Sequence, residues 1–427
     1  VETELVIERV VPGGAGLARV DGRVALVEGA LPGDRVRVNL VESGARLFHG
    51  EVIEVLEAGP SRRAEGNVCP RAVDRSCGGC DWPAVRPERA GELKTALVLD
   101  ALRRVGKLDV ASLPKPRFVS SPAGYRLRNR LHLANGRLGF FAPKSHDIAD
   151  LETCELVSPA LLARLPELRG AFETEPDLVA EVVTLESRSG DELLLEVHPE
   201  APYRDAKGLV ERLGARSSGV MLRASDGRVV ARMGAGALVL EAGGARFRVS
   251  VSSFFQGNRH LLDAFLAEIR EMLDESGPAP GAPALDLYAG VGFLTRPLLE
   301  RGLDVTAVEV EASAAADLAH NLAAWAKEGL PSAHAVEATA EGFLSRRKGT
   351  AELVLADPPR AGLSPAVRRA LLRNLPRTLL LVSCDPATLA RDLAELVPRY
   401  EPRRITLLDL FPSTHHVETL VHLARRG

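Results

Sequence analysis

The sequence predicts an α/β protein in three parts. An N-terminal β-barrel of the OB type is followed by a central α+β region carrying four cysteines. A C-terminal, mostly parallel sheet with helices on both faces completes the chain. Three observations predict this. Residues 1–58 are short strand-length runs cut by turn residues, residues 59–245 open on a cysteine cluster and are less regular, and residues 246–427 alternate apolar strand runs with helical stretches. A chain of 427 residues suffices for two or three domains, each with its own core.

In the first part, strands are expected over Leu5–Val11, Gly16–Val20, Arg23–Val27, Arg35–Leu40 and Phe48–Leu56. Pro12-Gly13-Gly14, Asp21-Gly22 and Leu31-Pro32-Gly33-Asp34 supply the turns between them. Five short strands make a small closed or partly open barrel. Such barrels commonly bind oligonucleotides, but a fold alone does not license a function.

The second part begins with Cys69, Cys77 and Cys80, a C-x7-C-x2-C run with Gly78 and Gly79 inside the close pair; Cys154 follows later. Three tightly spaced thiols and a fourth make a soft ligand set for one metal centre. The bland alternative is four small buried hydrophobes. A helix is expected over residues 86–107, with Leu93, Leu97, Leu99, Leu102 and Val105 near helical spacing, packed on the C-terminal domain. A second is expected near Pro159–Leu168, among strands whose order the sequence does not give.

From Ser112 to Leu138 there is no Asp or Glu, and Arg126, Arg128 and Arg130 alternate with other residues behind Tyr125. On a strand, a period of two aims all three guanidinia at one face, where planar forks suit phosphates and Tyr125 could stack on a base. The competing reading is a solvated edge strand guarded by charge.

In the third part, Ala284–Tyr288, Asp304–Val310, Leu353–Asp357, Thr378–Ser383 and Ile405–Leu410 read as buried strands. Ligands of open α/β sheets bind beyond the carboxyl ends of the strands. There stand Asp286-Leu287-Tyr288-Ala289-Gly290-Val291-Gly292, Glu309, Asp357-Pro358-Pro359-Arg360, Ser383-Cys384-Asp385-Pro386, and Asp409 with the run to Glu418. The glycines let backbone approach a ligand, but a bare Gly-x-Gly leaves a dinucleotide fold open. Glu309 is placed either for a ribose hydroxyl pair or for solvent. The Asp-Pro-Pro turn is stiff and extended and presents its carboxylate at the sheet edge. Cys384, left over from the cluster set, and a carboxylate on a neighbouring strand match covalent catalysis with a separate proton acceptor. His415 and His416 offer a rival metal reading, but adjacent histidines point different ways and no second ligand pair accompanies them.

Composition narrows the function classes. With 46% hydrophobic and 26% charged residues the chain reads as an ordinary soluble protein. Its longest apolar runs are strand-sized and its first residues lack a signal-peptide core, so no membrane span, a cytoplasmic location and reduced thiols are expected. A net charge of −3 requires any polyanion to be held by a local basic patch.

Taken together with Ser253-Phe254-Phe255-Gln256 and His415-His416-Val417-Glu418-Thr419, these motifs stand in the order shown by the RNA uracil-5 methyltransferases, which the chain resembles over essentially its whole length. The barrel resembles the TRAM domain of that family's iron–sulfur, 23S ribosomal RNA branch. The C-terminal domain resembles a Rossmann-like methyltransferase domain that uses S-adenosylmethionine. The resemblance implies methyl transfer to C5 of a uridine through a covalent adduct between Cys384 and uracil C6, with Glu418 removing the C5 proton. It implies that Asp357 recognises the uracil edge and Phe254 packs on the target base, while Arg126, Arg128 and Arg130 contact RNA. It puts Gln256, Tyr288, Phe293, Glu309, Thr339 and Asp357 around S-adenosylmethionine, and a [4Fe–4S] cluster on Cys69, Cys77, Cys80 and Cys154. A monomer acting on RNA, 23S ribosomal RNA first, is expected.

The sequence departs from the family where Ala289 replaces a frequent Cys, Asp385 an Asn and Gly257 a Val, at Phe293 and Thr339, where polar or acidic residues are common, and in the longer gap from Cys69 to Cys77. The alternatives are a transfer-RNA uracil-5 methyltransferase, a TRAM-containing radical enzyme, and a non-catalytic RNA-binding protein with a degenerate domain. The radical enzyme would need a C-x3-C-x2-C motif that is absent, and Cys384, Asp357 and Glu418 together oppose the degenerate reading.

Overall fold

The computed structural model describes residues 1–44, 46–64, 68–173, 177–203 and 205–427. The N-terminal sheet has six strands in the order Glu2–Val6, Arg35–Glu42, Leu47–Glu57, Arg23–Glu28, Gly16–Val20, Arg9–Val10. One expected run, Leu5–Val11, is therefore two strands. Glu2–Val6 pairs with Arg35–Asn39, whereas Arg9 and Val10 pair with Leu17 and Gly16. Between them the Ile7 N–H donates to the Asp34 carbonyl at 3.0 Å as the chain changes partner. Such a change of partner lets a short sheet curl around its core, here Ile7, Ala25, Val27, Val36 and Val38.

The central sheet has seven strands: Ile148–Asp150, Arg137–Phe141, Arg128–Ala134, Ala180–Glu186, Leu193–Pro199, Gly219–Arg223 and Val229–Gly234, in that spatial order. Helix Pro159–Phe172 starts at Ser158, whose side chain accepts the Leu161 N–H, and buries Leu161, Leu165 and Leu168 against this sheet's core.

The C-terminal sheet has eight strands in the order His334–Glu337, Asp304–Glu309, Pro283–Leu287, Leu353–Ala356, Thr378–Ser383, Glu418–Arg425, Tyr400–Leu408, Arg117–Val119. Five of these runs were legible as strands. Glu418–Arg425 inserts antiparallel between Thr378–Ser383 and Tyr400–Leu408, and Arg117–Val119 joins the edge from far upstream. Helix Pro87–Arg104 shares a core with this domain: Val98, Ala101 and Leu102 pack with Leu389, Ala390 and Leu393 of helix Pro386–Leu396. Among the described residues, no helix is long and apolar enough to cross a membrane.

Candidate active site

Strand register builds the centre of the site. Leu408 pairs with Glu418, and Ser383 pairs with Thr419. Because Glu418–Arg425 runs antiparallel, its first residue lies at the carboxyl ends of its neighbours, beside the residue that follows Ser383, which is Cys384. Asp385 then caps helix Pro386–Leu396 by accepting the Thr388 N–H at 2.7 Å, with Pro386 in the first turn. Cys-Asp-Pro is thus a thiol at a strand end followed at once by a helix start.

The groups around Cys384 are mostly acidic. Burial first, then the charges of Glu418 and Asp357, push its thiol up to about 12; Arg360 pulls it down. Glu418 is 4% exposed, and its Oε1 has no hydrogen-bond partner among the described residues. Burial, and then Asp357, raise its carboxyl well above the usual range. Burial likewise lifts Asp357 to about 7, against the opposing pull of a hydrogen bond that Gln256 Nε2 donates to its Oδ2 at 3.2 Å. Burial and mutual repulsion thus disfavour the charged form of all three groups. An ionised Glu418 in this place is a stronger base than a solvated glutamate.

Gln256 ends the segment Ser253-Phe254-Phe255-Gln256. The Ser253 hydroxyl donates to Asp317 Oδ2 at 2.7 Å, and Arg128 donates to the Ser253 carbonyl at 2.7 Å. Phe255 is buried, and Phe254 is 64% exposed, a large aromatic left bare on an anchored loop.

Tyr288 takes a left-handed φ of +64°, a costly conformation for a side chain with a Cβ, where strand Pro283–Leu287 gives way to the glycine turn. At Gly292 (φ +93°) a Cβ would lie 2.9 Å from Leu318, so only glycine fits. Glu309 ties this turn down: Oε2 accepts the Gly290 N–H at 2.8 Å, and Oε1 accepts those of Val310 and Glu311 at 2.7 Å. That uses three of a carboxylate's roughly four acceptor sites.

Thr339 caps helix Ala340–Arg346 through the Gly342 N–H. The Phe293 ring faces the core. It is 5% exposed and packs edge-on against Phe255 and Phe265, because an apolar ring after the glycine turn is drawn into the core.

The four clustered cysteines come together: Cys80 feels the charges of Cys77, Cys154 and Cys69, and burial with those neighbours pushes it up to about 12. The Gly79 N–H donates to Cys77 Sγ and the Leu156 N–H to Cys154 Sγ, each at 3.4 Å. Phe140 and the Phe141 carbonyl crowd Gly78 and Gly79, leaving no room for side chains there.

The arginine row does not present a single face. Arg126 donates to the Gly79 carbonyl at 3.0 Å and lies over Phe140, and Arg128 is held by Ser253. Only Arg130, 3.3 Å from Glu181, has a mostly exposed side chain. Tyr125 is 1% exposed and offers no stacking face. The alternation is real, but it points two of the guanidinia at neighbouring segments.

Sequence reasoning missed the residues that hold the Phe411–His416 loop. Buried Lys94 donates to Asp409 Oδ1, the Phe411 carbonyl and the His416 carbonyl at 2.6, 3.0 and 2.7 Å. A lysine on the apolar face of a helix, beside Leu93 and Leu97, was the available signal. Asp81 accepts the His415 N–H and also bonds the His415 ring. Asp81, His415 and His416 bring ligand atoms within 4.8 Å of one another, a carboxylate partner the sequence did not show. An Arg360 nitrogen 3.5 Å from His416 Nε2 opposes a cation there.

The fold and site define a methyltransferase built on an open α/β sheet. The sequence pattern of the tRNA (Uracil-5-)-methyltransferase family matches residues 220–426. The 23S rRNA (uracil(1939)-C(5))-methyltransferase RlmD of Halomonas elongata is 34% identical, over 98% of this chain and 89% of the relative. An uncharacterized RNA methyltransferase of Thermosynechococcus vestitus is 32% identical, over 98% and 97%. The Pyrococcus abyssi tRNA (uracil-54, C5)-methyltransferase, solved with S-adenosyl-L-homocysteine, shares the fold over 99% of this chain and all of its own length, with a TM-score of 0.75 at 22% identity. The chain belongs to the RNA uracil-5 methyltransferase family. It is an S-adenosylmethionine-dependent enzyme that methylates C5 of uracil in RNA.

Proposed function

We propose that this enzyme methylates a uridine of 23S ribosomal RNA, with Cys384 as nucleophile and Glu418 as base. The observation that carries the chemistry is the antiparallel register that sets Glu418 beside Cys384. C5 of uracil is too poor a nucleophile to attack a sulfonium methyl group. Thiolate addition at C6 makes the ring an enolate whose C5 can. S-adenosylmethionine supplies the electrophilic methyl group. Glu418 then takes the C5 proton, the electron pair restores the C5–C6 double bond, and the thiolate leaves.

Asp357, oriented by Gln256, would bind the uracil edge, and exposed Phe254 would stack on the base after it leaves its helix. Gln256, Glu309 and the glycine turn would hold S-adenosylmethionine, with Tyr288 and Thr339 beside them. The N-terminal barrel and Arg130 would meet RNA by charge and shape; Arg126 and Arg128 would act through the loops they anchor.

The four-cysteine set, with the Halomonas relative, supports the ribosomal-RNA branch. Cys69, Cys77, Cys80 and Cys154 fit an iron–sulfur cluster. Four thiolates serve zinc and iron–sulfur centres alike, and the resemblance to the iron–sulfur branch selects a cluster. Backbone N–H groups aimed at Cys77 and Cys154 suit that cofactor, which would serve structure, since uracil methylation needs no electron transfer. Mapping 5-methyluridine in ribosomal and transfer RNA from cells with and without the protein tests the proposal. Loss from transfer RNA alone would favour the substrate class of the Pyrococcus enzyme.

A further inference from the structure

Besides bonds from its own Thr414 to the Phe411 carbonyl, the loop that delivers Glu418 is held from helix Pro87–Arg104 and the cysteine loop. It leaves strand Tyr400–Leu408, passes Phe411 to His416, and re-enters the sheet at Glu418. Lys94, 1% exposed on helix Pro87–Arg104, spans it. Its three N–H groups go to Asp409 before the loop, to the Phe411 carbonyl at its start and to the His416 carbonyl at its end, two residues short of Glu418. An ammonium has three donors, and all three are committed.

The cysteine loop adds the next tethers: the Trp82 N–H donates to the Ser413 carbonyl at 2.9 Å, and Asp81 accepts the His415 N–H. The barrel closes the junction, since Trp82 Nε1 donates to the Gly14 carbonyl at 2.8 Å. Ser413 sits at φ +61°, a conformation that persists only where surroundings impose it.

Glu418 needs such support. Its buried Oε1 has no hydrogen-bond partner among the described residues, so backbone position rather than a neighbouring donor aims the carboxylate. We propose that Lys94 is a positioning residue for proton abstraction: it clamps both ends of the Phe411–His416 loop and so sets Glu418 against the methylated C5. The proposal rests on the reading of Glu418 as base. The step it serves moves the C5 proton to the Glu418 carboxylate, turns the C–H pair into the C5–C6 double bond, and returns the C6–S pair to Cys384.

Lys94→Met and the double variant Lys94→Met/Asp409→Leu test it, the second because it leaves no unpaired buried carboxylate. The substrate is RNA from cells lacking the protein, labelled with tritium at uridine C5, and a matching RNA carrying 5-fluorouridine. Both variants should form the 5-fluorouridine adduct at near wild-type rates. Both should release tritium roughly 100-fold more slowly and accumulate covalent adduct on ordinary RNA, the size of loss a small misplacement causes. If the double variant releases tritium at the wild-type rate, Lys94 merely neutralises Asp409 and the proposal falls. Equal slowing of adduct formation and release also overturns it. Glu418→Gln, run alongside, separates the two readings. Adduct there but not in the Lys94 variants rejects Lys94 alone, and normal tritium release by Glu418→Gln rejects the base and the proposal with it.

Discussion

Asp81 accepts the backbone N–H of His415 at 2.9 Å, although 334 positions of sequence separate them. Asp81 follows Cys80, and His415 precedes Glu418 by three residues, so the cysteine loop and the loop before strand Glu418–Arg425 meet. Disturbing the first should therefore be felt in the second.

Replacing Cys384 with alanine should abolish methyl transfer and the trapping of 5-fluorouridine RNA. Stability should change by about 1 kcal/mol or less, because the thiol is half-buried and small. Full methyl transfer by this variant would remove Cys384 from the mechanism.

Adduct formation should accelerate with pH. A thiol held up at about 12 is almost wholly protonated at pH 7, and its thiolate fraction grows roughly tenfold per pH unit below that value. Arg360 is the cation that pulls this thiol down, so Arg360→Ala should slow addition at pH 8 by roughly threefold to tenfold without changing the slope. Single-turnover rates between pH 6.5 and 9 decide it; a flat profile would mean that bound RNA or another base ionises the thiol.

Asp286→Asn should stabilise the protein at alkaline pH. Asp286 is 1% exposed, its Oδ2 accepts the Thr295 hydroxyl, and its Oδ1 lacks a partner. Burial lifts its carboxyl from 3.8 to about 7, which corresponds to up to about 4 kcal/mol. A carboxyl raised on folding has its stability below pH 3.8 and loses it as pH climbs to about 7. The asparagine, which mimics the protonated acid, should gain most at pH 8 and progressively less toward pH 5. Urea unfolding at both values measures this, and an equal gain at each would contradict it.

Protein purified without oxygen should carry about four irons per chain. Cys77→Ser should lose the iron and also slow tritium release, because Asp81 and Trp82 on the same loop hold His415 and Ser413. Iron content and release rate are read on one preparation. Stoichiometric zinc, or release unaffected by iron loss, would refute the respective half.

Arg130→Ala should lower the salt dependence of RNA binding by roughly one phosphate contact. Arg128→Ala should act otherwise, lowering kcat/KM by freeing the loop that carries Phe254 while leaving the salt slope nearly intact. Binding titrations at several salt concentrations separate them; equal slopes lost by both would restore the picture of a single arginine row.

Local patterns fixed much of this protein. Period-two alternation marked the strand around Arg128 and Arg130, and strand-end placement singled out Asp357, Cys384 and Glu418. Each signal lives within a few residues, where backbone geometry alone dictates direction. Which way an exposed-seeming side chain turned was decided elsewhere. Arg126 and Arg128 found carbonyl acceptors, Tyr125 and Phe293 were taken into cores, and Lys94 was buried because Asp409 and two loop carbonyls awaited it. The insertion of Glu418–Arg425 between two strands, which brings Glu418 beside Cys384, depends on long-range pairing that no local pattern encodes. Sequence determined the chemical groups and the elements that carry them. Tertiary structure decided their partners, because a hydrogen bond or an ion pair requires two groups in space, and only one of them is ever local.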